Sequence, residues 1–157
     1  MLSERDPQIP AWDELPEEDK QIWDARMAVY AAQIDCMDQG VGKIIETLEA
    51  NNALENTLIL FLSDNGGNAE GQGGKLTLDQ LPLLGNNEPA QSYRANWGNV
   101  SNTPFREYKK NTHEGGIATP LIAYWPAKIK QGGRMSAQQG HVIDFMPTFV
   151  ELADAEY

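Results

Sequence analysis

The stretch Thr57-Leu58-Ile59-Leu60-Phe61-Leu62-Ser63-Asp64-Asn65-Gly66-Gly67 changes character abruptly at its middle. The apolar run Leu58–Leu62 is too continuous for a strand with one wet face. It reads as a buried strand of a parallel sheet covered on both sides. At its carboxyl end stand an acid, an amide and two glycines, where open α/β sheets hold their ligands. An Asp beside an Asn offers oxygen donors to a hard cation, and glycines let backbone and ligand approach closely. The stretch therefore predicts a strand leading into a metal site.

Around it, 157 residues with 41% hydrophobic and 22% charged side chains suffice for one globular domain with a core. No stretch approaches the roughly 20 apolar residues of a membrane-spanning helix. Met1–Pro16 has neither the basic start nor the apolar middle of a signal peptide; in a fragment this says nothing about the parent's address. The single cysteine, Cys36, excludes an internal disulfide. Of the net charge of −11, residues 1–56 carry most, with 13 acidic side chains against 4 basic ones. No basic surface of the size nucleic acid demands can be assembled, so nucleic acid is excluded as a partner. Arg106, Lys109 and Lys110 nevertheless cluster in this acidic chain and can attract a small anion locally.

Residues 1–15, with Pro7 and Pro10, predict an irregular lead-in. Pro16-Glu17-Glu18-Asp19 reads as a helix start, with Pro in the first turn and acids facing the positive end of the dipole. Trp23, Met27, Tyr30, Ile34, Met37, Val41, Ile44 and Leu48 then recur at steps of four and three. This is one long amphipathic helix, or two joined near Gly40 and Gly42, ending around Asn51-Asn52. Cys36 falls within it and reads as a small core residue without chemistry. Residues 66–104 hold no period and are rich in Gly, Asn, Pro and Gln. They predict a partly ordered loop over the ligand site, anchored by Tyr93 and Trp97. Leu121–Trp125, between Pro120 and Pro126, reads as a second strand. His141–Ala153 reads as a helix with Pro147 near its start. The order helix, strand, loop, strand, helix is that of an α/β sheet.

Several of these segments together resemble the sulfatase family, a branch of the alkaline-phosphatase-like superfamily. They are Tyr30–Asp38 with Val41-Gly42, Ser63–Gly67, Asn102-Thr103-Pro104-Phe105-Arg106 with Lys109, and His113-Glu114-Gly115-Gly116-Ile117. Thr119-Pro120-Leu121-Ile122 and His141–Thr148 complete the set. Asp-Asn-Gly alone is a common turn; the order and spacing of all the segments carry the resemblance, which spans nearly the whole chain. It implies an α/β fold, part of an alkaline-phosphatase-like sandwich with a mostly parallel central sheet flanked by helices. Residues 1–157 would form a partial sulfatase domain with 66–104 as a long active-site loop.

The resemblance further implies that Asp64 and Asn65 are calcium ligands, where the residues alone leave a capping Asp and a turn Asn open. Lys109, five positions before Glu114, falls where the family places a lysine that contacts the sulfate group; Lys110 is the alternative if the register shifts. His113 reads as structural, Glu114 as orienting the turn into Gly115-Gly116, and His141 and Asp144 as helix caps. The family's nucleophile is a formylglycine made from a Cys or Ser followed by Xaa-Pro-Xaa-Arg. Cys36 is followed by Met37-Asp38-Gln39 and does not match it. The nucleophile and the first acidic calcium ligands are expected in a missing amino-terminal part. The expectation is therefore a central-to-late piece of a calcium-dependent sulfatase acting on small-molecule or carbohydrate sulfate esters, inactive alone. A periplasmic or secreted location goes with the resemblance. A phosphodiesterase or phosphonate hydrolase of the same superfamily is the nearest alternative. A non-catalytic module that binds calcium or carbohydrate is the other.

Overall fold

Acids in the first turn and a proline just before it start helix α1, Glu17–Ala50, in the computed structural model of the chain. That structure describes residues 4–71, 74–86 and 91–156. Parts of the lead-in (1–3) and of the long loop (72–73 and 87–90) lie outside the described residues, as does residue 157. The 34 residues of α1 run unbroken through Gly40 and Gly42, a rod of about 50 Å. The helix stops at Asn51, whose N–H returns to the Thr47 carbonyl at 3.2 Å, while the Asn52 N–H reaches the Glu49 carbonyl at 2.9 Å. Asn52 then turns left-handed at φ 54°, a conformation asparagine tolerates better than most residues.

The apolar seam of α1 is covered unevenly. In its first half Ile22 and Arg26 are buried, and Trp23, Met27 and Tyr30 are half-buried. Their cover is the lead-in, with a 3-10 turn at Trp12–Glu14, and the long loop. That loop contains a 3-10 segment, Leu78–Leu83, and helix α2, Arg94–Asn102. Tyr93 stacks on Tyr30 at 4.8 Å, Trp97 tilts against Trp12 at 5.7 Å, and the Trp97 indole donates to the Trp23 carbonyl at 2.8 Å. The buried Arg26 guanidinium donates to the Ser92 carbonyl. The loop is thus tied down by the two aromatic anchors its sequence supplies. From residue 31 to residue 40, by contrast, every α1 side chain is exposed, Ile34 and Met37 included. Cys36 lies in this bare stretch, so the expectation of a core cysteine is corrected: its surroundings in the helix have no neighbour to pack against.

After a 3-10 turn at Leu54–Asn56 come strand β1, Ile59–Leu62, and, after 58 intervening residues, strand β2, Leu121–Tyr124. They pair antiparallel, with Ile59 opposite Tyr124 and Leu62 opposite Leu121. Among the described residues they form the whole sheet. The mostly parallel central sheet expected from the apolar run is therefore not seen. The physical reason is the connection. The chain leaves β1 at Leu62, loops through α2 and returns to the same end, where the Ser63 N–H donates to Thr119 Oγ1 at 3.2 Å. A strand entered from that end must run back. Nor is β1 covered on both faces: Phe61 and all four residues of β2 are exposed.

A short helix α3, Glu114–Ile117, precedes β2, and helix α4, Phe145–Leu152, follows a 3-10 turn at Val142–Asp144. Met146, Phe149 and Leu152 of α4 are exposed. The accessible surface totals 12013 Å², against about 7,900 Å² for a compact monomer of 17.4 kDa. Large apolar side chains stand exposed on it, among them Ile44, Ile122, Ile143 and Met146. The well-packed regions are the loop against the first half of α1, around Ile9, Ile22 and Leu76, and a crossing of glycine-rich segments just past β1.

Candidate metal and anion site

The crossing begins where β1 ends. Asp64 is exposed and makes no hydrogen bond or ion pair among the described residues. Asn65 is half-buried and donates its amide nitrogen to the Gly66 carbonyl at 2.8 Å. That bond uses a donor of Asn65 and leaves its Oδ1 as an acceptor. The Gly66 N–H then donates to the Gly116 carbonyl at 3.0 Å. A Cβ on Gly66 would lie 1.7 Å from the Gly115 carbonyl oxygen. One on Gly115 would lie 2.1 Å from the Glu107 carbonyl oxygen, and one on Gly116 2.1 Å from that of Asn111. Three glycines at one contact are needed because backbone packs directly on backbone.

Gly67 is held from both sides. Its N–H donates to Asn102 Oδ1 at 2.8 Å, and its carbonyl accepts from the Lys109 N–H at 3.0 Å. The Asn102 amide nitrogen donates in turn to the carbonyls of Glu107 at 2.8 Å and Gly115 at 2.9 Å. The turn carrying Asp64 and Asn65 and the segment carrying Lys109 are thereby one packed unit. Lys110, the alternative to Lys109, has a left-handed backbone at φ 80° and a more exposed side chain.

Charge in this unit is largely matched. Glu70 faces both lysines: its Oε2 lies 3.7 Å from Lys109 Nζ, and its Oε1 pairs with Lys110 Nζ. The Lys110 hydrogen bond, above all, holds the Glu70 carboxyl below its usual range, against some desolvation and with help from both lysine charges. Arg106 lies 3.7 Å from the Glu107 carboxylate. The expected basic cluster is thus a set of cations each facing an acid. Burial, with the negative charges of Asp6 and Glu107, pushes the Tyr108 phenol up to about 12, so it stays protonated.

The other candidates fall outside this unit's chemistry. His113 and Glu114 are exposed, and their carbonyls accept from Gly116, Ile117 and Ala118 as α3 opens. His141 and Asp144 cap each other: Asp144 Oδ2 accepts from the His141 N–H at 2.8 Å, and His141 Nδ1 from the Ile143 N–H at 3.2 Å. Asn102 opens one of the segments that carry the family resemblance, but the sequence assigns it no role of its own. One asparagine in an asparagine-rich loop carries no periodic signal, and only its place before Thr103-Pro104 marks it.

The sulfatase family profile matches residues 4–155. The chain belongs to the sulfatase family. It is 32% identical to an uncharacterized sulfatase of Schizosaccharomyces pombe over 163 aligned residues, covering 94% of this chain and 28% of that protein. To the arylsulfatase of Klebsiella aerogenes it is 35% identical, covering 90% of the chain and 32% of the relative. To the dog N-acetylgalactosamine-6-sulfatase it is 34% identical, over 79% of the chain and 19% of the relative. The chain therefore spans about a third or less of the length of these sulfatases. Membership implies the alkaline-phosphatase-like α/β fold. No described helix is long and apolar enough to cross a membrane.

Proposed function

We propose that this chain is a central-to-late part of a calcium-dependent sulfatase, with Asp64 and Asn65 as two of the metal's ligands and Lys109 as a contact to the sulfate. The observation that carries the proposal is the hydrogen bond from the Lys109 N–H to the Gly67 carbonyl, which ties the lysine's segment to the turn bearing the two oxygen donors. The donor set suits a hard cation: a carboxylate without a partner among the described residues stands next to an amide oxygen left as an acceptor. Two donors fall short of the six to eight oxygens that calcium takes, roughly. No cluster of three or more His, Cys, Asp or Glu side chains is gathered among the described residues. The remaining ligands belong, on this reading, to parts of a longer protein, as does the mostly parallel sheet that would cover β1.

Bound calcium would supply polarisation of the sulfate oxygens. Lys109 supplies a compact positive charge to a sulfate or leaving-group oxygen, once that oxygen displaces the 3.7 Å contact with Glu70. On this reading the nucleophile lies outside this chain, since Cys36 is followed by Met37-Asp38-Gln39 and lacks the Pro and Arg of the formylglycine motif. Substrates would be sulfate esters of an aryl group or a sugar, as the relatives' names suggest, and a periplasmic or secreted address goes with the same reading. Calorimetric titration of the chain with calcium should show weak binding that Asp64→Ala abolishes. Equal affinity in the variant would sink the metal assignment. Turnover of an aryl sulfate by the chain alone would overturn the division of the site.

A further inference from the structure

The geometry points to Asn102 as a positioning residue for this site, an inference that rests on reading Asp64, Asn65 and Lys109 as parts of one sulfate-ester site. The Asn102 side chain is 8% exposed and spends its acceptor and both donors on three different backbone segments. Its Oδ1 takes the N–H of Gly67, two residues beyond the proposed ligand Asn65. Its Nδ2 holds the carbonyl of Glu107, two residues before Lys109, and the carbonyl of Gly115 in the glycine crossing. No other described side chain hydrogen-bonds to all three strands of this crossing. The direct backbone link between the turn and the lysine segment, from the Lys109 N–H to the Gly67 carbonyl, falls on the same residue whose N–H Asn102 holds.

The amide is chemically specific here. A carboxylate of the same shape keeps the acceptor but turns two lone pairs on the Glu107 and Gly115 carbonyls, and a methyl leaves one N–H and two carbonyls without this partner. Either change loosens the separation between Lys109 and the Asp64-Asn65 turn without touching a metal or sulfate oxygen. α2 delivers Asn102 as its last residue, and α2 is fastened to α1 through Trp97. The long loop thus reaches the site through a buried amide at the end of its helix.

The test uses the whole chain, with Asn102→Asp, Asn102→Ala and Asp64→Ala, followed by amide hydrogen exchange and by NMR titration with calcium alone. Both Asn102 variants should keep slow exchange in α1, while the Gly67 and Lys109 amides exchange about tenfold faster or more. The calcium-induced shift of Asn65 should need about tenfold more metal. In Asn102→Asp the buried carboxyl faces two carbonyls, so its pKa rises above the usual ~3.9. Lowering the pH then returns a donor, and slow Gly67 exchange recovers in Asn102→Asp but not in Asn102→Ala. In a positioning role the calcium response of Asn65 recovers together with Gly67 protection; protection that recovers while the calcium response stays weakened marks a purely architectural role and overturns the assignment. Unchanged exchange at Gly67 and Lys109 in both variants overturns the assignment, as does faster exchange spread equally along α1. If calcium shifts at Asn65 survive Asp64→Ala, the metal reading fails, and the exchange results still decide whether Asn102 links the two segments.

Discussion

Gly66→Ala and Gly40→Ala add the same methyl group and should move stability in opposite directions. At Gly66 the new Cβ would lie 1.7 Å from the Gly115 carbonyl oxygen, where ordinary contact begins at 3.4 Å. The obstacle is backbone, so relief requires the two segments to part by most of that difference. The bonds from Gly66 N–H to the Gly116 carbonyl, 3.0 Å, and from Gly67 N–H to Asn102, 2.8 Å, cannot both survive it. Leaving two such groups poorly paired, with the overpacking strain, costs about 3–5 kcal/mol. That is a large share of the ~5–15 kcal/mol that holds a typical domain folded. At Gly40 nothing lies within 4 Å of the added Cβ, in the middle of an exposed helix. There alanine should stabilise α1 by about 0.8–1 kcal/mol through helix propensity. Urea unfolding, followed in parallel by helical circular dichroism and tryptophan fluorescence, measures both. A Gly66→Ala midpoint that stays level or rises with that of Gly40→Ala would refute the backbone-on-backbone packing assigned to the crossing.

Two further outcomes test the surroundings of the site. The Glu70 carboxyl should titrate below an ordinary glutamate in an NMR pH series, and Lys110→Ala should raise its midpoint more than Lys109→Ala does, because the Lys110 hydrogen bond dominates. Since the folded value is depressed, the contact's contribution is present above the unfolded glutamate pKa of ~4.3 and is lost as pH falls through the lower folded value. A normal midpoint would dissolve the Glu70–lysine pairing. Trp97→Ala should cost about 3 kcal/mol by removing a half-buried indole that packs on Trp12 and bonds the Trp23 carbonyl at 2.8 Å. Trp97→Phe should cost only about 1 kcal/mol, the bond alone. Equal urea midpoints for the two variants would contradict that division.

Local signals in the sequence carried far where the physics is local. The Pro16–Asp19 start and the four-and-three spacing mark α1 to within a residue or two, since both act over one helical turn. The apolar runs mark β1 and β2, and the His141–Asp144 pattern marks a cap that is formed. Helix α2 was hidden, because Arg94–Asn102 contains a glycine and three asparagines and owes its order to Tyr93 and Trp97 resting on α1. The sheet's direction was hidden as well, since an unbroken apolar run reports burial preference and not the sense of a partner strand.

Asp64, Asn65, Lys109 and the glycines around them were legible as chemistry: oxygen donors, a point charge, and residues without Cβ atoms. Their conjunction was not. The hydrogen bonds among Gly66, Gly67, Lys109 and Gly116 join positions more than 40 residues apart, a separation across which no propensity or period acts. Asn102 acquires its role only because folding brings one N–H and two carbonyls from three segments within reach of a single amide. Residue types set what this turn can bind. The long-range contacts set which side chains surround it, because burial and hydrogen-bond satisfaction are properties of the assembled chain.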